Sequence, residues 1–156
     1  MQYPPRLEMN EQLRRVLVVD DDPEIRRILV TALRLRSLAI DEAVDGQSAV
    51  ELLRENRYAV VLLDIMMPGM DGFGVLDAID RQQHSPVVLV VSGAGKHILD
   101  RVDTRKIHGI VKKPFDPLEI ADVVSACAEI RGRSAFETMA YATIISGAPL
   151  IALLRL

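Results

Sequence analysis

The chain has 156 residues, 49% of them apolar and 26% charged, a balance that excludes intrinsic disorder and collagen-like, coiled-coil or disulfide-rich architectures. Nineteen Lys and Arg against 22 Asp and Glu give a net charge of -3, too even to argue direct nucleic-acid binding. One ordinary domain with short extensions is expected, and the single Cys127, with no secretory signal at the amino terminus, points to a reducing cytoplasm.

Residues 1–13 are polar, include Pro4-Pro5 and read as a flexible leader. Val16-Leu17-Val18-Val19 is a continuous apolar run, and Ile25, Ile28, Leu29, Ala32 and Leu33 then recur on one helical face: a strand, then a helix. Residues 38–44 make a weaker strand, and Ala49, Leu52 and Leu53 a short helix ending near Asn56. Val60-Val61-Leu62-Leu63 is the next strong strand, followed by Gly72, Val75, Leu76 and Ile79 at helical spacing. Residues 87–91 repeat the strand signal. Ile98, Leu99 and Val102 support a sparse fourth helix over 96–106, Gly109 to Lys112 is a brief last strand, and Ile120, Val123, Val124 and Cys127 mark a fifth helix.

Strand runs buried on both faces and alternating with helices require an α/β domain with a parallel sheet. Asp22-Pro23 and Asp116-Pro117-Leu118-Glu119 supply the helix starts such units need, an N-cap followed by proline. In open α/β folds ligands bind where the carboxyl ends of the strands emerge. Those ends are Asp20-Asp21-Asp22, Asp64, Ser92 and Lys112-Lys113-Pro114. Gathered carboxylates repel one another unless protons or a cation compensate them, and magnesium suits one or two carboxylates plus a phosphoryl oxygen.

Four strings in this order, Val16 to Pro23, Leu62 to Gly72, Val90-Val91-Ser92-Gly93 and Val111-Lys112-Lys113-Pro114-Phe115, resemble the receiver domain of two-component response regulators over residues 14–130. The resemblance implies a flavodoxin-like (βα)5 three-layer sandwich with strand order 2-1-3-4-5. It implies that Asp64 accepts a phosphoryl group from a phosphohistidine donor, a sensor histidine kinase or phosphotransfer protein. Asp20 and Asp21 would hold magnesium together with Asp64 and the main-chain carbonyl of Met66; Ser92 and Lys113 would contact the transferred phosphoryl oxygens. The molecule would be a phosphoacceptor switch signalling to a downstream protein target, not an enzyme acting on other substrates.

Individual residues have plainer readings too. Asp22, directly before Pro23, is expected to cap a helix, leaving Asp20 and Asp21 as the metal pair. Adjacent Lys112 and Lys113 face opposite ways on a strand, so only one enters the pocket; Lys113 is the choice. His84, His97 and His108 lack metal-ligand spacing and read as surface or loop residues. Arg26, Arg27, Arg34 and Arg36 form a basic side of the first helix, either solvated or facing an acidic kinase surface.

The chain departs from the family pattern in three places. Ile110 stands where the family carries an aromatic switch residue, three positions before the lysine. The fourth-helix segment lacks the usual Gly-Ala-acid ending. Met66 and Ala94, two residues past Asp64 and Ser92, cannot orient an attacking water, so slow self-hydrolysis of the aspartyl phosphate is expected.

Residues 131–156 form an apolar extension opened by Arg131-Gly132-Arg133, in which Glu137 and Arg155 are the only charges from Ser134 onward. Residues 138–154 are 17 in number and interrupted by Ser146, Gly147 and Pro149, against the roughly 20 a spanning helix needs, so no membrane span is expected. A broken helix packing on the receiver or on a second copy, as a homodimer, fits better. A shortened output region is the other reading, and no output domain is expected within this chain. Three functional rivals stay open: a constitutive docking module with a relic pocket, the receiver part of a shortened transcription regulator, and a haloacid-dehalogenase-type phosphatase. The last wants Asp-x-Asp-x-Thr on its first strand, and Asp20-Asp21-Asp22-Pro23 lacks the threonine.

Overall fold

The alternation inside each apolar run shows why it is buried on both faces. Val16 and Val18 enter one core while Leu17 and Val19 enter another; Val60 and Leu62 separate from Val61 and Leu63 in the same way, as do Leu89 and Val91 from Val88 and Val90. Side chains of a strand point to opposite faces, so a sheet covered by helices on both sides needs apolar residues at every position.

The computed structural model describes residues 14–93 and 101–131, the side chain of Arg131 excepted. In chain order these form β1 (Arg15–Val19), α1 (Pro23–Arg34), β2 (Ala39–Ala43), α2 (Gly46–Glu55), β3 (Val60–Asp64), α3 (Gly72–Asp80), β4 (Val87–Ser92), β5 (Gly109–Lys112) and α4 (Pro117–Arg131). The leader at 1–13 and the extension beyond 131 lie outside the described residues, as do Ala94 and His97. The five strands are all parallel in the order β2-β1-β3-β4-β5. This is the α/β, flavodoxin-like arrangement expected.

Helices α1 and α4 cover one face through Leu29, Leu33, Ile120, Val124 and Ala128. Helices α2 and α3 cover the other through Ala49, Leu53, Val75, Leu76 and Ile79. Leu17, Leu29, Leu33, Leu62, Leu63 and Leu89 are essentially inaccessible to solvent, each contributing roughly 1.5–3 kcal/mol by burial. Cys127 belongs to this core, and burial pushes its thiol up to about 11.

Aspartates start the helices. Asp22 accepts the backbone N–H groups of Glu24 and Ile25, Asp71 those of Phe73 and Gly74, and Asp45 forms a reciprocal box with Ser48. Asp116 accepts Leu118 N–H at 2.8 Å. Each cap satisfies donors that have no partner within the helix.

The fourth predicted helix is corrected in its described part: residues 101–106 form turns, and 96–100 lie outside the described residues. Only Val102 and Ile107 of this stretch reach the core, too few for a helical stripe. Lys106 instead ties it to α3, its Nζ 2.8 Å from Asp77 and 3.6 Å from Asp80.

Candidate functional site

The parallel register brings four strand ends together. Val19 pairs with Leu63, Asp64 with Val91 and Ser92 with Lys112, so Asp20, Asp64, Ser92 and Lys113 lie at one edge of the sheet. Lys113 N–H donates to the Ser92 carbonyl at 3.0 Å, carrying the β4–β5 ladder one residue further. Strand alternation then turns Lys113 inward and leaves Lys112 exposed, as predicted. The Lys113–Pro114 peptide bond is cis.

The Lys113 ammonium bridges two carboxylates, its Nζ 2.8 Å from Asp20 Oδ2 and 2.9 Å from Asp64 Oδ2. The remaining carboxylate oxygens are held from the backbone: Asp22 N–H donates to Asp20 Oδ1 at 2.9 Å, and Met66 N–H to Asp64 Oδ1 at 2.8 Å. Asp20, Asp64 and Ser92 are buried, whereas Asp21 is exposed beside them. Burial raises the Asp20 carboxyl above its ordinary value, and the Lys113 hydrogen bond opposes this only in part. Burial also works against the Lys113 charge, but its hydrogen bonds to Asp20 and Asp64 together with their charges outweigh it and raise that group. The ammonium therefore stays protonated where two anions need it.

Asp20, Asp21 and Asp64 each offer an oxygen within 4.8 Å of the others. Three carboxylates against one ammonium leave a surplus of two negative charges, and an all-oxygen set of this kind fits a hard dication. Asp21 is the member of this set that faces solvent. Met66, an exposed residue, has its backbone beside Asp64 through the N–H bond already described.

The turn after β3 fixes Asp64 from below. Gly72 N–H donates to the Ile65 carbonyl at 3.0 Å. A Cβ at Gly72 would stand 2.6 Å from the Asp64 carbonyl oxygen and 2.7 Å from Ile65 Cα. Gly69, at φ +75°, takes the left-handed conformation that glycine adopts without steric cost.

One expectation is corrected. Arg26 is not on a solvated basic face: its side chain is 13% exposed, Nη1 donates to the Asp20 carbonyl at 2.8 Å, and Nε lies 3.7 Å from Glu42. Its place in the first turn of α1 lets it reach back over the strand end, a signal hidden in the sequence by three neighbouring arginines. Arg27 and Arg34 are exposed, and Arg36 pairs with Asp122 of α4 at 2.6 Å. His108 is a loop residue, as expected, but half-buried just before β5, and its Nδ1 accepts Val88 N–H at 3.0 Å, extending the β4–β5 pairing. His84 is exposed, as expected.

Comparison with known proteins agrees with this geometry. The model of the response regulator receiver domain family matches residues 16–125. The transcriptional regulatory protein SrrA of Staphylococcus aureus is 35% identical over 118 residues, which cover 71% of this chain and 46% of SrrA. The chain thus spans about half the length of the curated relatives it matches. Among solved structures, the response regulator TrrA of Thermotoga maritima, in complex with magnesium and beryllofluoride, is 29% identical, with a TM-score of 0.66 over 73% of this chain and 98% of that one. The receiver domain of Francisella response regulator 1452 is 26% identical, with a TM-score of 0.68 over 77% and 99%. With the family model matched across most of its length, the chain belongs to the response regulator receiver domain family.

Proposed function

We propose that this chain is a phosphorylation-controlled switch in which Asp64 takes a phosphoryl group from a phosphohistidine on a sensor kinase or phosphotransfer protein. The observation that carries the reading is the Lys113 ammonium spanning Asp20 and Asp64, with Asp21 alongside. In the transfer a carboxylate oxygen of Asp64 bonds to phosphorus as the phosphorus–nitrogen bond to the donor histidine breaks, and that bonding pair stays on the imidazole. Such transfer depends on in-line positioning and neutralised oxygens more than on covalent help.

Asp20, Asp21, Asp64 and the Met66 carbonyl are the proposed magnesium ligands, and the ion would supply charge neutralisation at the phosphoryl oxygens. Lys113 would move from its two-carboxylate bridge to pair with a phosphoryl oxygen, and the Ser92 hydroxyl would donate to another. The new anion then favours one arrangement of the Ser92 turn and β5 over another, changing the surface offered to a downstream protein. Reversing a mostly inactive population needs roughly 5 kcal/mol of such preference. Met66 and Ala94, two residues past Asp64 and Ser92 in the sequence, have no side chain that could orient an attacking water, so hydrolysis of the acyl phosphate is slow. The proposal includes a cytoplasmic setting, a receiver over 14–130, a leader at 1–13 and an apolar extension over 131–156. Among the described residues no helix is long and apolar enough to cross a membrane.

The test is incubation with magnesium and acetyl phosphate, followed by intact mass. One acid-labile phosphoryl group is expected, absent from Asp64→Asn and persisting well beyond seconds. No adduct on the wild-type chain under these conditions would leave a constitutive docking module with a relic pocket. Turnover of phosphate monoesters would instead indicate a phosphatase.

A further inference from the structure

The proposed chemistry leaves unused a buried charge beside the cleft, the guanidinium of Arg26. Arg26 stands in the first turn of α1, its backbone N–H on the Asp22 carbonyl at 3.1 Å, and its side chain turns back over the end of β1. Nη1 donates to the Asp20 carbonyl at 2.8 Å, Nε lies 3.7 Å from Glu42 of β2, and the side chain is 13% exposed. Nε is buried without a hydrogen-bond partner. A buried guanidinium with an unpaired donor adds little to a fold, since well-packed apolar residues stabilise as well or better. Stability alone does not account for its place.

What Arg26 holds is one peptide group. The ladder stops at the end of β1: Asp20 N–H donates to the Ala43 carbonyl at 3.3 Å, while the Asp20 carbonyl takes the guanidinium in place of a strand partner. That carbonyl belongs to the peptide linking Asp20 to Asp21. The next peptide is fixed as well, because Asp22 N–H donates to Asp20 Oδ1 at 2.9 Å. Asp21 therefore has both flanking peptide planes held, one by the guanidinium and one by its neighbour's carboxylate. Its side chain is exposed, so the backbone on either side sets where the carboxylate points. That carboxylate has an oxygen within 4.8 Å of oxygens of Asp20 and Asp64.

We infer that Arg26 is a positioning residue for the cation site: by fixing the peptide between Asp20 and Asp21 it keeps the Asp21 carboxylate converged on Asp20 and Asp64. This role rests on the magnesium ligand set proposed above and adds to it a residue that touches neither the ion nor the phosphoryl group. Groups that orient metal ligands in this way are worth about 10–100-fold in affinity. The sign of the effect separates positioning from charge. A guanidinium near a dication repels it, so removing the charge alone would tighten binding; removing a positioning residue loosens it.

Magnesium titrations of the full chain by calorimetry, with no phosphodonor present, test this role. Arg26→Met keeps the apolar stem and loses every donor, and should raise the magnesium dissociation constant at least about tenfold. Arg26→Lys keeps the charge, but its ammonium stands one bond short of Nη1, and its constant should rise by about threefold or more while staying below that of the methionine variant. With acetyl phosphate, the magnesium concentration giving half the maximal rate should rise in step, and the rate at saturating magnesium should stay within about twofold of the wild type's. Urea midpoints in EDTA record what each variant loses in stability by itself. Lower stability with unchanged magnesium affinity would make Arg26 a structural tie and overturn the inference, as would tighter binding in either variant. Should Arg26→Met not fold, the lysine variant decides alone, and wild-type affinity there overturns the inference. A wild-type chain that binds magnesium but takes no phosphoryl group removes the switch and leaves these titrations to decide on Arg26; one that binds no magnesium removes both.

Discussion

Two acidic clusters on the same sheet end in opposite electrostatic states. Near the amino ends of β1 and β3, Asp41 accepts the Tyr58 hydroxyl at 2.7 Å and lies 3.5 Å from Arg15, whose guanidinium donates to Asn56 at 2.7 Å. One anion meets one cation and a hydroxyl, and the cluster is closed. At the carboxyl ends, Asp20, Asp21 and Asp64 share the single ammonium of Lys113, and the balance is left incomplete on the side where Asp21 is open to solvent. Both set aspartate against a basic side chain. What separates a structural knot from a reactive site is charge that the fold does not cancel.

The most damaging way to break this contrast is Lys113→Met. It strands Asp20 and Asp64, whose side chains are only 2% and 8% exposed, without their shared cation. Phosphorylation by acetyl phosphate should slow by about 10²–10³-fold, the usual cost of removing one preorganised charge at a developing anion. Stability without magnesium should fall by about 2 kcal/mol, below the cost of a fully buried broken pair because the cleft is open on one side. Urea midpoints with and without magnesium check this: the ion should recover more stability in the variant than in the wild type. A variant that phosphorylates at the wild-type rate would remove Lys113 from the proposed chemistry.

Next in size is a pair of glycines in one helix. Gly72→Ala pushes a methyl group into the Asp64 carbonyl and Ile65 Cα, backbone atoms that cannot yield, and should cost about 2–3 kcal/mol while disturbing Asp64. Gly74→Ala meets the Met70 side chain instead, with Cγ at 2.8 Å and Sδ at 3.4 Å. A thioether chain has rotamers to spare, and alanine gains up to about 1 kcal/mol of helix propensity, so the net change should lie within about 1 kcal/mol of zero. Chemical denaturation of both variants separates a site-bearing turn from a tolerant helix.

How much of this was legible before the fold was known depended on whether a signal was local. Val16 to Val19 and Val60 to Leu63 announce buried parallel strands because every position is apolar, and strand ends name the site. The two-residue period of a strand meant that only one of Lys112 and Lys113 could enter the cleft, and the proline after Lys113 decided between them. Arg26 was not legible, since its role depends on α1 folding back over β1. His108 was not either: an imidazole that accepts a backbone N–H from β4 is defined by a neighbouring strand, not by its own surroundings in the chain. The segment at 101–106 misled because Val102 sits at helical spacing from Ile98 and Leu99, whereas Lys106, by tertiary pairing with α3, holds it in turns.

Tyr58→Phe probes the closed cluster. Burial, and then the hydrogen bond to Asp41, raise the Tyr58 hydroxyl above its ordinary value of 10.0, so the neutral hydroxyl is the form the fold favours. The stability this supplies is complete below pH 10 and is lost as the pH climbs through the raised value. Removing the hydroxyl should cost about 1 kcal/mol, because Arg15 still faces Asp41. The loss should be identical with and without magnesium, unlike that of Lys113→Met. An ion-dependent loss would mean that the two clusters are coupled through β1.

The smallest effect belongs to a third kind of acid, half-buried and paired within its own loop. Asp103 accepts two guanidinium hydrogen bonds and the backbone N–H of Arg105 at 2.9–3.0 Å. These bonds hold its carboxyl down at about 2, below the ordinary 3.8. A lowered value in the folded state makes the contribution to stability complete above 3.8 and lost as the pH falls through about 2. Carboxyl carbon shifts followed against pH should show Asp103 as a low titrator, and Arg105→Gln should return it toward 3.8, with no change in the thermal midpoint at neutral pH. The pair faces water, where screening and side-chain entropy consume what the geometry gains. A midpoint near 3.8 in the wild type would mean that this pair is not formed in solution. A clear drop in thermal stability on Arg105→Gln would mean that the turns at 101–106 rely on the ion pair, not on Val102, Ile107 and the Lys106 tether to hold them against α3.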